Sequence, residues 1–564
     1  MFIVSTVVDM FIEYKVVNNI EYAMLVSSIR IDGKVKKGQR INLGRVIDKQ
    51  KNIFRNRARG LFTYDKETDQ YGNVDPEFQE PSETKRKTKY RKREILDIEF
   101  GSVYLLDKFL EQEQIWKLVD AIGFKNRDSI RALLAYYCIS KYSNRQASFW
   151  WEYSYSRILY PNAQLASQRI SEMLEDLGSE EAKHLFFKAY YDLLKQQKSQ
   201  SVNSEATSNQ DSDENQSTSE NMIENGILID STGLQNTCNL PITAISNHNG
   251  KISEEIRLIY VVQQETGLPL FFRYIAGNII DASTVKATIA ELKANGVNTN
   301  FAILDAGYYN GKNADVLIDA KISFISRMHS NFCIYKDCVS KYRNELETED
   351  NLVVYNGRMV YIKCCDCNIG EKSNRKAYAY LCLDCTMKRE EEFHLSQRLE
   401  DKTDVSIAEI HQSRNSMGVF MLVSTRKIAK ENLLPIYYTR NHIEDIFKLC
   451  KGDCKILPLN IRKEETFKGH LLITFIATVV MKLIFKKLKN YKITLENLFM
   501  VLDRHRAKIY DDTIIVDECS KLMNHIYKNI FNISCPAEIK YHAPKNLNDI
   551  IKEIGSDMIT FNEN

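Results

Sequence analysis

GILIDSTG, Gly226–Gly233, is an apolar run that ends in Asp230 and small residues. NFAILDAG, Asn300–Gly307, repeats the plan with Asp305 in the acidic place. Short apolar runs bounded by glycine and polar residues read as strands buried on both faces, as at the centre of an α/β sheet. An aspartate at the end of such a strand sits at the sheet rim, where open α/β folds place their ligands. Taken singly, either aspartate reads better as the cap of a following helix or turn.

A third acid lies in YYTRNHIEDIFKLCK, Tyr437–Lys451. At about 100° per residue, Arg440, Glu444 and Lys451 all fall within about 60° of Tyr437 on a helix. Ile443, Ile446, Phe447 and Cys450 form the neighbouring apolar side, so one side is built for burial and the next presents an acid among two bases and a phenol. An ordinary salt-bridged surface helix accounts for Arg440 and Glu444 equally well. The two strand-end aspartates break that tie in favour of a catalytic triad, Asp230, Asp305 and Glu444. Three carboxylates together are costly unless cations neutralise them. Two Mg²⁺ ions about 4 Å apart, with Mn²⁺ as a substitute, would do so and would serve phosphoryl transfer.

These residues resemble the acidic triad of DDE transposases. The spacing Tyr437-x2-Arg440-x3-Glu444-x6-Lys451 is similar to the YREK signature of insertion-sequence transposases of the IS four group. GLPLFFRYIAGNIIDASTV (Gly267–Val285) resembles that family's stretch after the first aspartate, and FKGHLLITFIATVVMKLI (Phe467–Ile484) its apolar helix after the signature. The likeness spans roughly Gly226 to Phe485. It implies a ribonuclease H-like α/β catalytic core with a mixed five-stranded sheet, a β-rich insertion and a mainly helical N-terminal region. It also implies two-metal cleavage and joining of double-stranded DNA at terminal inverted repeats and target, with a hairpin intermediate and a dimer when the ends are paired. Tyr437, Arg440 and Lys451 are then DNA-binding residues. A nuclease of the same fold that only cuts, and a silent DNA-binding derivative, are the competing readings.

Composition sets the frame. At 564 residues the chain exceeds one ordinary domain. Its 44% apolar content supplies packed cores, and a net charge of +3 confines nucleic-acid binding to local patches. MFIVSTVVDMFIEYK lacks a signal peptide's basic start, and Leu471–Phe485 is short and interrupted by Lys482, so it reads as a buried core helix. A cytoplasmic, nucleoid-associated protein without membrane partners is the expectation. Thirteen cysteines then read as reduced thiols. Cys364-x2-Cys367 and Cys382-x2-Cys385 have the spacing of a structural zinc site. Both pairs lie in strand-like sequence where cysteine fits as a small apolar residue, and the family resemblance implies no zinc there.

Along the chain, residues 1–60 read as a small β-hairpin unit, with Asp32-Gly33 as turn and Lys34, Lys36, Lys37 and Arg40 near its tip. Residues 61–100 read as a polar linker in which seven of the nine residues Lys85–Arg93 are Lys or Arg. Successive amphipathic helices at 101–195 fit a DNA-end-binding domain or a purely structural bundle equally well, with Trp150 and Trp151 as core aromatics. A low-complexity linker follows at 196–224. The catalytic domain takes 225–320 and 415–490, interrupted by a β-rich insertion at 321–414, and 491–564 is helical and mixed.

Overall fold

A computed structural model describes residues 7–17, 20–31, 34–76, 78, 96–208, 226–236, 238, 240–248, 251–400, 414–457, 459–510 and 512–541. The basic run Lys85–Arg93 and the Asp32-Gly33 turn lie outside the described residues. Two compact units divide the chain, Met1–Arg93 and Glu94–Asn564.

The first unit is an antiparallel meander of six strands: β1 (Val7–Val17), β2 (Ile20–Ile31), β3 (Lys34–Asp48), β4 (Ile53–Asn56), β5 (Gly60–Asp65) and β6 (Gln70–Gly72). Alternation along these strands turns Ala23, Leu25, Leu43, Phe54, Phe62 and Tyr64 onto one buried face. The sheet therefore runs past residue 60, because Phe62 and Tyr64 supply two inward positions in a segment that is otherwise mostly polar.

The second unit begins with β7 (Leu96–Glu99), which pairs not with its chain neighbours but with β18 (Arg506–Ile509), close to the C-terminus. Helices then follow from Gly101–Gln112 through Glu180–Ser208. The last of these continues to Ser208, into the segment whose composition reads as a linker. Trp151 donates to the Tyr160 carbonyl at 3.1 Å and Trp150 packs 5.2 Å from the Tyr136 ring, both as core-type contacts.

Next comes the large sheet: β8 (Gly226–Gln235), β9 (Ala244–His248), β10 (Lys251–Gln263), β11 (Pro269–Ala276), β12 (Phe301–Leu304), β13 (Ser323–Met328), β14 (Leu352–Tyr355), β15 (Arg358–Ile369), β16 (Arg375–Asp384) and β17 (Val419–Ser424). Its order is β11-β10-β8-β12-β13-β17-β16-β15-β14, with β9 added beside β10. The first five are the mixed five-stranded core: antiparallel β11, β10 and β8, then β12 and β13 parallel to β8. The fifth strand, β13, lies beyond the residue-320 boundary, since its short alternating run looks like the strands that follow it. β14 to β17 do not form a separate body. β17, in the segment after the insertion, pairs antiparallel with β13 on one side and β16 on the other, so β14 to β16 extend the same sheet to ten strands.

The apolar run at Leu471–Phe485 lies within the helix Glu464–Leu488, almost wholly buried. No helix among the described residues is long and apolar enough to cross a membrane. Its Phe475 ring sits 5.2 to 6.2 Å from those of Phe272, Phe187, Tyr260, Phe186 and Tyr190, joining the sheet to the N-terminal helices. Gly469 faces the Leu174 carbonyl of the helix Ser167–Leu177, and a side chain there would meet that backbone. The absent Cβ is what allows so close a crossing.

After it, β18, β19 (Thr513–Val516) and β20 (Glu538–Lys540) form a second sheet in the order β20-β19-β18-β7. The C-terminal region thus carries strands as well as helices. All thirteen cysteines are free thiols. The two CxxC pairs do not gather. Cys364 and Cys367 stand three residues apart on β15, so they face opposite sides of the strand. Cys364 is exposed whereas Cys382 is buried.

Candidate active site

Register brings the two aspartates together. β12 runs parallel to β8 only as far as the pairs Ile303↔Leu228 and Leu304↔Ile229. The next residues on the two strands are Asp305 and Asp230. β8 does not end there. Asp230 lies inside it, opposite Tyr260 of β10. The rim position expected of Asp230 is therefore a gap on one side of a continuing strand, opened where β12 turns away into the short 3-10 helix Ala306–Tyr308.

Glu444 arrives from across the sheet. The segment Tyr437–Lys451 is not one α-helix: Lys430–Tyr437 ends, Tyr438–Arg440 makes a 3-10 turn, and Asn441–Gly452 resumes as α-helix. Tighter winding at that turn changes the rotation between Tyr437 and Arg440. Arg440 then lies at the centre of the three acids. Its guanidinium stands 3.0 Å from Asp305, 3.3 Å from Glu444 and 4.0 Å from Asp230. A planar group with five donors can serve several carboxylates at once.

The electrostatics follow from burial. Asp230 is the least solvated of the three, and loss of water pushes its carboxyl up to about 7, reinforced by Asp305 and opposed by the Ser231 amide and Arg440. The Ser231 amide donates to it at 2.8 Å. Tyr437 is buried beside Arg440, and burial pushes its phenol up to about 12. Lys451 does not join the acids. Its ammonium donates to the Gly233 carbonyl at 2.9 Å, further along β8, and burial lowers its basicity. Of these four residues, Arg440 and Glu444 meet beside the two aspartates, Tyr437 is buried next to Arg440, and Lys451 bonds the helix to β8.

A second layer was not singled out as part of the site from sequence. Asp281 accepts from the Ser231 hydroxyl at 2.6 Å and pairs with buried Arg257 at 2.8 Å. Asp281 opens the 3-10 helix Asp281–Thr284, which leads into the α-helix Val285–Ala294. These bonds hold the β8 backbone beside Asp230. The available signal was Arg257 itself, a charged residue inside the apolar run IRLIYVV.

Three carboxylates gathered on one cation are a hard-oxygen donor set of the kind divalent ions take. The buried Asp230 carboxyl, held near neutrality, adds a group that gains most from such an ion. The residues present therefore fit Mg²⁺ or Mn²⁺.

Among solved structures, the chain is similar to a piggyBac transposase in a synaptic complex with hairpin DNA, at 14% identity and a TM-score of 0.28. The match covers 49% of this chain and 52% of that one, so the chain spans about half the length of this relative. No curated protein matches the chain. Residues 222–480, which hold the sheet core and the three acids, match the family described as Transposase DDE domain, and the ribonuclease H-like α/β core seen here is the core of that domain.

Proposed function

We propose that the protein is a DNA transposase of the insertion-sequence type, cutting element ends and joining them to target DNA with Asp230, Asp305 and Glu444. The observation that carries this reading is the convergence of those three carboxylates on one guanidinium. Asp230, Asp305 and Glu444 would hold two Mg²⁺ ions, or Mn²⁺ in their place. Bound there, the ions would supply Lewis-acid stabilisation of phosphoryl oxygens and activation of the attacking hydroxyl.

The remaining roles belong to the chain's own side chains. Arg440, released from the acids when other cations neutralise them, is placed to turn its fork to a backbone phosphate. Tyr437, buried behind it, orients that guanidinium. Lys451 holds the helix carrying Glu444 against β8 through the Gly233 carbonyl and keeps its proposed DNA-binding role beside that contact. The four-residue signature supports assignment to the IS four group. Terminal inverted repeats and target DNA are the proposed partners, with two protomers pairing the ends.

The test uses purified full-length protein, a labelled duplex carrying an element end, a target plasmid and Mg²⁺. Cleavage followed by covalent joining of the label to the plasmid is expected, and Asp230→Asn, Asp305→Asn and Glu444→Gln should each lower both by roughly 10²-fold or more, as loss of several kcal/mol requires. End binding should survive in all three. Cutting without joining would leave a nuclease, and undiminished cleavage in Asp230→Asn would sink the catalytic assignment.

A further inference from the structure

Away from the acids, three side chains that ligate soft metals meet at one end of the β20-β19-β18-β7 sheet. His505 precedes β18, Cys519 follows β19 and Cys535 precedes β20. The strands are antiparallel, so these three loops fall at the same sheet end. One nitrogen of His505 and the sulfurs of Cys519 and Cys535 all lie within 4.8 Å of one another. We propose that His505, Cys519 and Cys535 form a structural zinc site that ties the C-terminal strands to the body of the second unit.

Geometry supports it. Zinc–sulfur bonds of about 2.3 Å and zinc–nitrogen bonds of about 2.0 Å put tetrahedral neighbours about 3.5 Å apart. Cys519 Sγ stands 3.8 Å from His505 Nε2. The Asp517 carbonyl lies 2.9 Å from the same nitrogen, at hydrogen-bond distance.

The surroundings prepare the imidazole for a metal. The Tyr527 hydroxyl donates to the Gly101 carbonyl at 3.3 Å and stands 3.0 Å from His505 Nδ1. Tyr527 can accept from Nδ1–H while donating to Gly101, and that tautomer would free the Nε2 lone pair for a metal. Such an outer hydrogen bond to the far ring nitrogen is the usual support of a metal-bound histidine. In the other tautomer Nε2–H donates to the Asp517 carbonyl at 2.9 Å, a bond that the metal would replace. Two thiols give their protons to solvent on binding, so Zn²⁺ with two thiolates and a neutral imidazole carries no net charge, which suits a histidine 1% exposed.

The site joins distant chain segments. His505 O accepts from the amides of Phe100 and Gly101, so the metal would lock β7 and the start of the helix Gly101–Gln112 to the C-terminal sheet.

Full-length protein purified under reducing conditions from zinc-supplemented cells should contain about one zinc per chain by mass spectrometry. Cys519→Ser/Cys535→Ser should lose it, while Cys364→Ser/Cys367→Ser should keep it. Should the first variant fail to fold, chelator-treated wild-type protein titrated with Co²⁺ decides: intense visible bands of a tetrahedral ion with thiolate charge-transfer absorption are expected. Metal-free wild-type protein with no cobalt response, zinc retained in full by Cys519→Ser/Cys535→Ser, or zinc lost from the Cys364→Ser/Cys367→Ser variant would overturn the assignment. So would a disulfide between Cys519 and Cys535 in protein kept under reducing conditions.

Discussion

Arg440→Gln offers a direct test of whether one guanidinium stands where metal ions bind. In the metal-free protein Arg440 faces Asp305 at 3.0 Å, Glu444 at 3.3 Å and Asp230 at 4.0 Å. At an effective dielectric of about 20, each pair is worth about 4–6 kcal/mol before solvent is considered. Asp305 and Glu444 are 38% and 49% exposed, which reduces their pairs to about 0.5 kcal/mol each. The more buried Asp230 pair contributes about 1 kcal/mol, so the whole is about 2 kcal/mol. The variant should melt about 2–4 °C lower without divalent ions. Because bound metal no longer has to displace the guanidinium, the same 2 kcal/mol should tighten Mn²⁺ binding by up to about thirtyfold. Calorimetric titration with Mn²⁺ reads the affinity, and melting with and without saturating Mn²⁺ reads the linked stability. If Arg440→Gln bound Mn²⁺ no more tightly than wild type, the acids and Arg440 would not share one ion site, and the proposed mechanism would fail.

Other consequences follow from burial. Asp230 is held up to about 7 by desolvation, so the folded state keeps a proton that the unfolded chain loses near 4. Its contribution to stability therefore falls as pH rises through that window, whereas Mn²⁺ affinity should climb from about pH 5.5 and level off above about pH 7.5. Asp230→Asn should flatten the affinity curve, and an unchanged slope in that variant would contradict the assignment. Lys455 lies buried over the Tyr136 ring, 3.1 Å from its centre, and desolvation lowers its amine to about 6. Wild-type stability should thus rise with pH between about 6 and about 10.5, and Lys455→Met should be more stable at pH 7 by about 1–3 kcal/mol in urea denaturation. A less stable Lys455→Met would show that the amine is needed. Phe475→Ala empties the centre of five aromatic rings and should cost about 3–5 kcal/mol, read as a lower denaturation midpoint; a loss under about 1 kcal/mol would mean that the helix is not the keystone it looks.

Much of the site was legible because its signals are local. The runs before Asp230 and Asp305 announce buried strands by their own composition, and Arg440 and Glu444 sit one helical turn apart whatever surrounds them. The tertiary structure decided what pairing and packing decide. The register of β12 against β8 sets Asp305 beside Asp230. A 3-10 turn at Tyr438–Arg440 and the bond from Lys451 to Gly233 separate four residues that a regular helix would hold on one stripe. The insertion joined the central sheet because β16 pairs with β17, the strand that follows it and pairs with β13. The two CxxC pairs have the spacing of a zinc site yet read better as strand cysteines and do not gather, whereas His505, Cys519 and Cys535 have no telling spacing and came together. Residue type and short spacing state which chemistry a chain can perform. Which distant residues share a few ångströms depends on strand pairing and core packing, whose free energies are earned only when the whole chain folds.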